Sequence, residues 1–534
     1  MKRKLLPALL LLGALSGAKT QGQDINREVR KLSMALYAVT NMYVDTTDIS
    51  RLTENAIVGM LEKLDPHSNY LDPDETKDMT EPLQGNFDGI GIQFNMLTDT
   101  LYIIQVIAGG PSEKVGMLAG DRIILVDDTL IAGVKMKNND IMKRLRGPKG
   151  TEVRVKVLRR NEPQPIDFRI IRDKIPVHSL DAAYMADERT GYIRLSRFAL
   201  SSTTEFRTAL ANLKKKGMEN LILDLQGNGG GYLNIAIELA DEFLNQGKLI
   251  VYTEGHNQPR ENAEATPQGD FEEGRLVILV DESSASASEI LAGAVQDWDR
   301  GVILGRRTFG KGLVQKPIPL PDGSMIRLTV SRYYTPTGRG IQKPYENGDS
   351  EAYNRDLIAR YNRGELMSAD SIHFPDSLKY QTLTFRRTVY GGGGIMPDIF
   401  IPIDTTDYTD YHRKLVANGL VNRIAMDFAD KNRASLMARY SEFARYKESF
   451  DVPESLMQQL TDLAATEKVP FEPEAYNRSL SLIKLQAKAL IARDLYELGD
   501  YYQIINDANQ SFRAALRIIN DLPVYTKELS ADAG

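Results

Sequence analysis

Three stretches of this sequence carry residue types, at spacings, that could attack and stabilise an acyl group. The first, Ser283-Ser284-Ala285-Ser286-Ala287-Ser288-Glu289, follows the apolar run from Leu276 to Val280 and opens a helical pattern. A serine at such a junction is exposed at the edge of a sheet, and the first amides and positive dipole end of the new helix face any developing oxyanion. The same letters also spell a capping box, Ser286-x-x-Glu289, which requires no chemistry. A serine nucleophile needs a base. The five histidines, His67, His178, His256, His373 and His412, are scattered without a Ser/Asp pattern. Lysine is the alternative, provided burial lowers its affinity for the proton. Lys311 lies in Thr308-Phe309-Gly310-Lys311-Gly312, ahead of the apolar Leu313-Val314, a setting that could desolvate an amine. The third stretch, Asp224-Leu225-Gln226-Gly227-Asn228-Gly229-Gly230-Gly231, ends an apolar run. It reads either as a flexible turn or as half of an oxyanion hole completed by the N–H of Ala287.

Two other matches carry no chemistry. The segment from Gly305 to Gly312 resembles a phosphate-binding loop, but glycine stands where the magnesium-binding Ser/Thr belongs and a strand pattern follows instead of a helix. Ser481-Leu482-Ile483-Lys484 has the Ser-x-x-Lys spacing of β-lactam-type enzymes, but lies on a long helical stripe without the companion motifs.

The elements that must position these residues follow from periodicity. Ile25, Val29, Leu32, Leu36 and Val39 keep the spacing of one helix face, and a second helix from Leu52 is expected to stop at Asp65-Pro66. From about 85 to 174 short β-rich runs and turn residues dominate, with one helix from Asn139 to Leu145. From about 175 to 405 buried-type strands such as Leu221 to Leu225 alternate with helical patterns, which is α/β logic. After 406 the pattern is helical, with a stripe of Leu482, Leu485, Ala489, Ala492 and Tyr496.

The bulk numbers bound the rest. The 534 residues suggest roughly three or four domains. A net charge of -6, from 66 basic and 72 acidic residues, implies no field that would attract nucleic acid. With no cysteine, disulfides, thiolate nucleophiles and Cys-based metal sites are excluded. Lys2-Arg3-Lys4, the apolar stretch from Leu5 to Leu15, and Ser16 and Ala18 before Lys19 have the layout of a secretory signal peptide over 1–18. That layout implies export, with the periplasm as the expected compartment.

Taken together, the motifs resemble the C-terminal processing peptidases, or tail-specific proteases. The family's Ser-Ala-Ser-Ala-Ser-Glu reads here as Ser284 to Glu289, which makes Ser286 the nucleophile, and its aromatic-Gly-Lys-Gly reads as Phe309 to Gly312, which makes Lys311 the base. A supporting glutamine maps to Gln315. Leu64-Asp65-Pro66-His67-Ser68-Asn69-Tyr70-Leu71 looks like the family's N-terminal signature. Phe87-Asp88-Gly89-Ile90-Gly91-Ile92 resembles the carboxylate-binding loop of its PDZ domain, and Leu145 to Thr151 a PDZ hairpin. Tyr333 to Arg339 and Gly394 to Asp398 resemble late core segments. Where the family often has Asn-Pro-Gly-Gly, this chain has Asn228-Gly229-Gly230-Gly231.

The resemblance implies a multidomain α+β chain, with a crotonase-like α/β peptidase core, an inserted PDZ domain and helical N- and C-terminal regions. The expected boundaries are 24–85 for the N-terminal helices, 86–174 for the PDZ domain, 175–405 for the Ser/Lys core and 406–534 for the C-terminal helices. Gly89, Ile90, Gly91 and Ile92 would take the terminal carboxylate of a protein or peptide substrate. Gly230 and Ala287 would supply the oxyanion hole, and Gln315 would hold the lysine. No metal or organic cofactor is implied, and a homo-oligomer is possible. Two rival readings remain: a catalytically silent exported PDZ scaffold, and an acyl-transfer enzyme on the same core.

Overall fold

The computed structural model describes residues 16–530 other than Thr98 and Asn161, so most of the segment read as a signal peptide lies outside the described residues. The chain divides into two units. The smaller comprises Met1–Asp74, Gln315–Thr329 and Tyr345–Asn354, and the larger Glu75–Val314, Val330–Pro344 and Arg355–Gly534.

In the smaller unit, helices Ser16–Met42 and Ile49–Leu61 lead into strand Asn69–Leu71, which pairs antiparallel with 325–327. The second helix ends at Leu61 rather than at the expected Asp65-Pro66. Asp65 is committed to a turn of its own. Its carboxylate accepts the N–H groups of His67 and Ser68 at 2.9 and 3.1 Å and the Ser68 hydroxyl at 2.6 Å. Thr329 Oγ1 donates to the same carboxylate at 2.9 Å. The Leu64–Leu71 signature therefore builds a turn, and His67 contributes a contact to Tyr353 Oη at 2.9 Å. On the first helix, Ile25, Val29, Leu32 and Val39 are all exposed.

The larger unit holds the rest. Strands Ile92–Leu97, Thr100–Val106, Arg122–Val126, Glu152–Leu158 and Ile166–Ile171 form an antiparallel sheet in that spatial order, with helix Asn138–Leu145 packed on one face. Glu152–Leu158 shows why: Val153, Val155 and Val157 alternate inward with a period of two.

The central sheet runs in the order Leu180–Met185, Thr190–Leu195, Asn220–Asp224, Leu276–Val280, Val302–Gly305, Ile399–Phe400. Its first pair is antiparallel and the others are parallel. Asn220–Asp224 and Leu276–Val280 are buried throughout, because helices cover both sheet faces. One face is closed by helices Ser202–Lys215, Leu233–Asp241 and Ala287–Asp297. The other carries Tyr192, Ile222, Val277, Leu279, Val302 and Leu304, and is closed by Phe512, Ala515, Ile518, Ile519 and Tyr525 from helices Gln510–Asn520 and Leu522–Ser530. These two helices thus complete the core of a sheet that begins at 180. Between that sheet and this pair along the chain, helices Asp410–Ala417, Leu420–Arg439, Phe443–Ser449, Glu454–Thr466 and Pro473–Leu495 pack around a separate core. Among the described residues no helix is long and apolar enough to cross a membrane.

Candidate active site

Ser286 sits on the turn between strand Leu276–Val280 and helix Ala287–Asp297, as that helix's N-cap, with φ 57° and ψ −112°. A side chain held in such a sparsely populated region costs roughly 1–3 kcal/mol, and only surroundings that over-determine it keep it there. Those surroundings are visible. All eleven residues of the helix are buried. Ser284 Oγ donates to Leu225 O at 2.8 Å, and Phe309 N–H donates to Ser284 O at 3.0 Å. The glycine loop is pinned to the same turn through Asn228, whose carbonyl accepts Ala285 N–H at 3.0 Å and Ser288 Oγ at 2.8 Å.

Glu289 does more than cap. It is fully buried, and its two oxygens collect four donors from the two segments that carry the candidate dyad. Oε2 accepts Ser286 N–H at 2.8 Å and Lys311 N–H at 2.9 Å, while Oε1 accepts Gly310 N–H at 2.7 Å and Thr308 Oγ1 at 2.5 Å. Burial pushes its acid up to about 7, against the pull of those hydrogen bonds. Tyr333 makes a second bridge: its buried hydroxyl donates to Ser286 O at 3.1 Å and to Lys311 O. The capping box is locally sufficient to explain a glutamate at this position. The signal for its second role lay in the Thr308-Phe309-Gly310-Lys311 stretch, whose hydroxyl and amides all needed an acceptor.

Lys311 is half-buried on the loop between strands Val302–Gly305 and Leu313–Pro319. A strand follows it, so the phosphate-loop reading stays excluded. The flanking glycines are needed for close approach. A β-carbon on Gly310, at φ +88°, would lie 3.0 Å from Lys343 Cβ and 3.1 Å from Gly394 N. Gln315 falls in the smaller unit, where its Nε2 donates to Thr329 Oγ1 at 3.2 Å.

Gly230 is brought against Ser286, with φ +101° and room for no side chain: a β-carbon would stand 2.9 Å from Ser286 Cβ and 3.0 Å from Ala287 N. Its N–H, however, is donated to Asn228 Oδ1 at 2.9 Å. The amide expected to serve as an oxyanion donor is thus engaged within its own loop. Gly230 is here the residue whose missing side chain lets the loop close on Ser286. Ala287 keeps the expected place at the first position of the helix, where the helix itself supplies no partner for the N–H.

The loop expected to bind a carboxylate is brought to a groove of about 500 Å³ between strand Ile92–Leu97 and helix Asn138–Leu145. Ile90, Gly91 and Ile92 line it, together with Met142 and Arg146. Gly89 does not, because it closes strand Asn86–Gly89 in register with Asp173. Arg146, whose guanidinium lies 4.8 Å from the Phe87 ring centre and 3.0 Å from Glu81, puts a cation at the groove. Ser481 and Lys484 lie on helix Pro473–Leu495, where Lys484 pairs with Glu454.

Comparison with known proteins fits this layout. Residues 189–349 match peptidase family S41, 89–170 a PDZ domain, 13–76 the N-terminal domain of the activating protease CtpB, and 411–497 a family of unknown function. A carboxy-terminal-processing protease of Bartonella bacilliformis is 36% identical over 342 residues, 63% of this chain and 78% of that protein. This chain belongs to the carboxy-terminal-processing proteases. Its relative CtpA of Bacillus subtilis is 35% identical over 314 residues, 59% of this chain and 66% of that protein. A solved photosystem II D1 C-terminal processing protease is 29% identical, covering 58% of this chain and 83% of its own, with a TM-score of 0.33. The chain is therefore a serine-type peptidase with a PDZ domain, and its substrates are peptides or proteins. As a carboxy-terminal-processing protease it has an S41 core, flanked by helical N- and C-terminal regions.

Proposed function

We propose that this peptidase is exported, takes the C-terminal tail of an unstructured protein into its PDZ groove and cuts a nearby peptide bond with Ser286 and Lys311. The observation that carries the residue assignment is the shared anchor: one buried carboxylate, Glu289, accepts the backbone N–H of both residues on the same oxygen. A positioned nucleophile and base convert a difficult encounter into a local one.

In this reading Ser286 Oγ attacks the carbonyl carbon and Lys311 Nζ, deprotonated at the start, takes the hydroxyl proton. The Ala287 N–H, at the positive end of its helix, stabilises the oxyanion, and the amides of the glycine loop are the second source of donors. The tetrahedral adduct collapses as the lysine returns its proton to the departing amine. Water, activated by the same lysine, then attacks the acyl-serine and frees Ser286. Gln315 supports the lysine, as the family pattern implies. At the groove, the backbone of Ile90, Gly91 and Ile92 and the Arg146 cation meet the tail carboxylate, a mode in which strand addition and amide capture act together. Export follows from the charged and apolar layout over 1–18, with the periplasm as destination. The exposed apolar stripe of helix Ser16–Met42 supports a homo-oligomer in which a second copy covers it.

The test is direct. Protein lacking residues 1–18 and its Ser286→Ala counterpart are incubated with an unstructured protein ending in apolar residues, and products are followed by intact mass. C-terminal fragments released only by the parent support the assignment. No cleavage by either, with tail binding retained, favours a silent scaffold.

A further inference from the structure

An antiparallel sheet that packs its helix on one face usually turns the other to water. The PDZ sheet does not. On strand Thr100–Val106, Leu101 and Ile103 point into the PDZ core, yet the alternate residues Tyr102 and Ile104 are buried as well. They cluster with Met426, which comes from helix Leu420–Arg439 of the C-terminal helical domain. Asn95 Nδ2 reaches Met426 Sδ at 3.6 Å from the neighbouring PDZ strand. One helical turn beyond Met426, on the same face, stands Asp430, nearly buried. Its carboxylate is shared by two PDZ guanidiniums, Arg122 at 3.3 Å and Arg160 at 3.2 Å. Burial, and then the Asp430 charge, hold the Tyr102 hydroxyl firmly protonated. Gly120 makes the approach possible: a β-carbon there would stand 3.2 Å from Asp430 Oδ1.

The helical domain is also fixed at its other end. Asn506 Nδ2 donates to Tyr184 Oη at 2.8 Å, and Asn509 Nδ2 donates to Gln226 Oε1 at 3.1 Å, beside the glycine loop of the active site. The chain then continues into helix Gln510–Asn520, which is part of the peptidase core. The tail groove lies on the far side of the PDZ sheet from this contact. None of Tyr102, Ile104, Arg122 and Arg160 lines it.

We propose that the C-terminal helical domain is a rigid arm that grips the PDZ module by the back of its sheet, through Met426 and Asp430, and fixes the direction from which a bound tail reaches Ser286. The arm leaves the groove open while removing the module's freedom to swing, so it acts on delivery of substrate rather than on recognition. The inference rests on the proposed function for its effect on turnover, but the grip itself is a structural claim.

Because the chain has no cysteine, Ile104→Cys with Met426→Cys in the full chain introduces the only two thiols. Disulfide formation under mild oxidant is expected, and its failure overturns the grip whether or not the protein cleaves anything. The oxidised enzyme is expected to cut a tailed substrate as fast as the reduced one. Loss of cleavage that reductant restores overturns the proposal, since the module would then have to leave the arm during turnover. Independently, Asp430→Lys is expected to lower kcat/KM for the tailed substrate about tenfold while the affinity for a tail peptide stays unchanged. Adding Arg122→Glu and Arg160→Glu, which reverses the pairing, is expected to restore it. An Asp430→Lys enzyme of undiminished kcat/KM overturns the proposal. If the parent cleaves nothing, the proposed function fails, and the disulfide alone still decides the grip.

Discussion

Replacing Glu289 by glutamine separates a helix cap from a shared anchor. As a cap, Glu289 serves one donor, Ser286 N–H, and the substitution costs about 0.5–2 kcal/mol in stability with little effect on chemistry. As an anchor it serves four. Glutamine has one carbonyl oxygen. If that oxygen keeps Thr308 and Gly310, the amide NH₂ is driven against the N–H groups of Ser286 and Lys311, two buried donors without acceptors. At about 1–3 kcal/mol for each, the loss is about 2–6 kcal/mol, partly returned because a buried charge is no longer required. The two backbones that lose their acceptor are those of the candidate nucleophile and base, so misplacement there is expected to lower kcat/KM by about a hundredfold or more. The pH dependence carries a sign of its own. Burial raises Glu289 from 4.5 to about 7, so the folded state retains the proton more strongly than the unfolded chain. That contribution to stability is complete below pH 4.5 and is lost as pH rises through about 7, an amount on the order of 3 kcal/mol. Glutamine does not titrate. The gap in stability between parent and Glu289→Gln is therefore expected to be widest in acid and to narrow toward pH 8. Thermal unfolding across pH 4–8, alongside turnover of a fluorogenic peptide at each pH, reads both effects. A variant with parental kcat/KM and a pH-independent gap in melting temperature would falsify the anchor.

Three further outcomes follow from the same geometry. Lys311→Arg is expected to abolish turnover without unfolding the protein, because a guanidinium stays protonated and cannot act as base; measurable burst acylation of Ser286 in that variant would remove Lys311 from the role. Gly230→Ala forces a β-carbon to 2.9 Å from Ser286 Cβ at positive φ, and is expected to lower both melting temperature and kcat, whereas an unchanged enzyme would mean the loop sits away from the nucleophile in solution. Tyr333→Phe takes the shared donor from two carbonyls and is expected to lower kcat about tenfold with KM nearly unchanged, a split that steady-state kinetics resolves.

The parts of this molecule that were legible in the sequence are those whose meaning is local. Leu276–Val280 reads as a buried strand because its run of apolar residues is continuous, and Ala287–Asp297 as a helix because its start is marked by Ser286 and Glu289. Lys311 stood out because glycines flank it. What local reading could not supply was the second use of a residue already explained. Glu289 was sufficient as a cap, and the donors 19 to 22 positions away needed an acceptor without indicating which one. Asn228 belonged to a glycine-rich turn, and only the fold shows its side chain taking the Gly230 N–H. The covering of the central sheet by Phe512 to Tyr525 is a contact between segments more than two hundred residues apart along the chain, as the bond from Leu276 N–H to Tyr525 Oη shows. Amphipathic spacing predicts that such a helix has a partner and is silent on which one.

The late segments Tyr333–Arg339 and Gly394–Asp398 gain a physical role from what they hold. The helix that Ser286 caps ends in Gln296 and Asp297, and an acid at that end opposes the helix dipole. Arg339, fully buried, offsets it by pairing with Asp297 at 2.7 Å and with Gln296 Oε1 at 2.7 Å. Gln296 Nε2 in turn donates to Met396 O and Asp398 Oδ1, both at 2.8 Å, and Arg387 links Asp398 to Asp299. At the other end of the same helix, Thr308 Oγ1 accepts Ile395 N–H at 2.7 Å while donating to Glu289. A helix carrying a strained Ser286 at its first turn must be prevented from sliding or tilting, since either motion would relax the strain. The two late segments clamp it at both ends, and Tyr333 of the first also reaches the backbone carbonyls of Ser286 and Lys311. Their chemistry is that of a frame, and it explains why arginines and acids with no solvent to satisfy them are retained in the core of a peptidase.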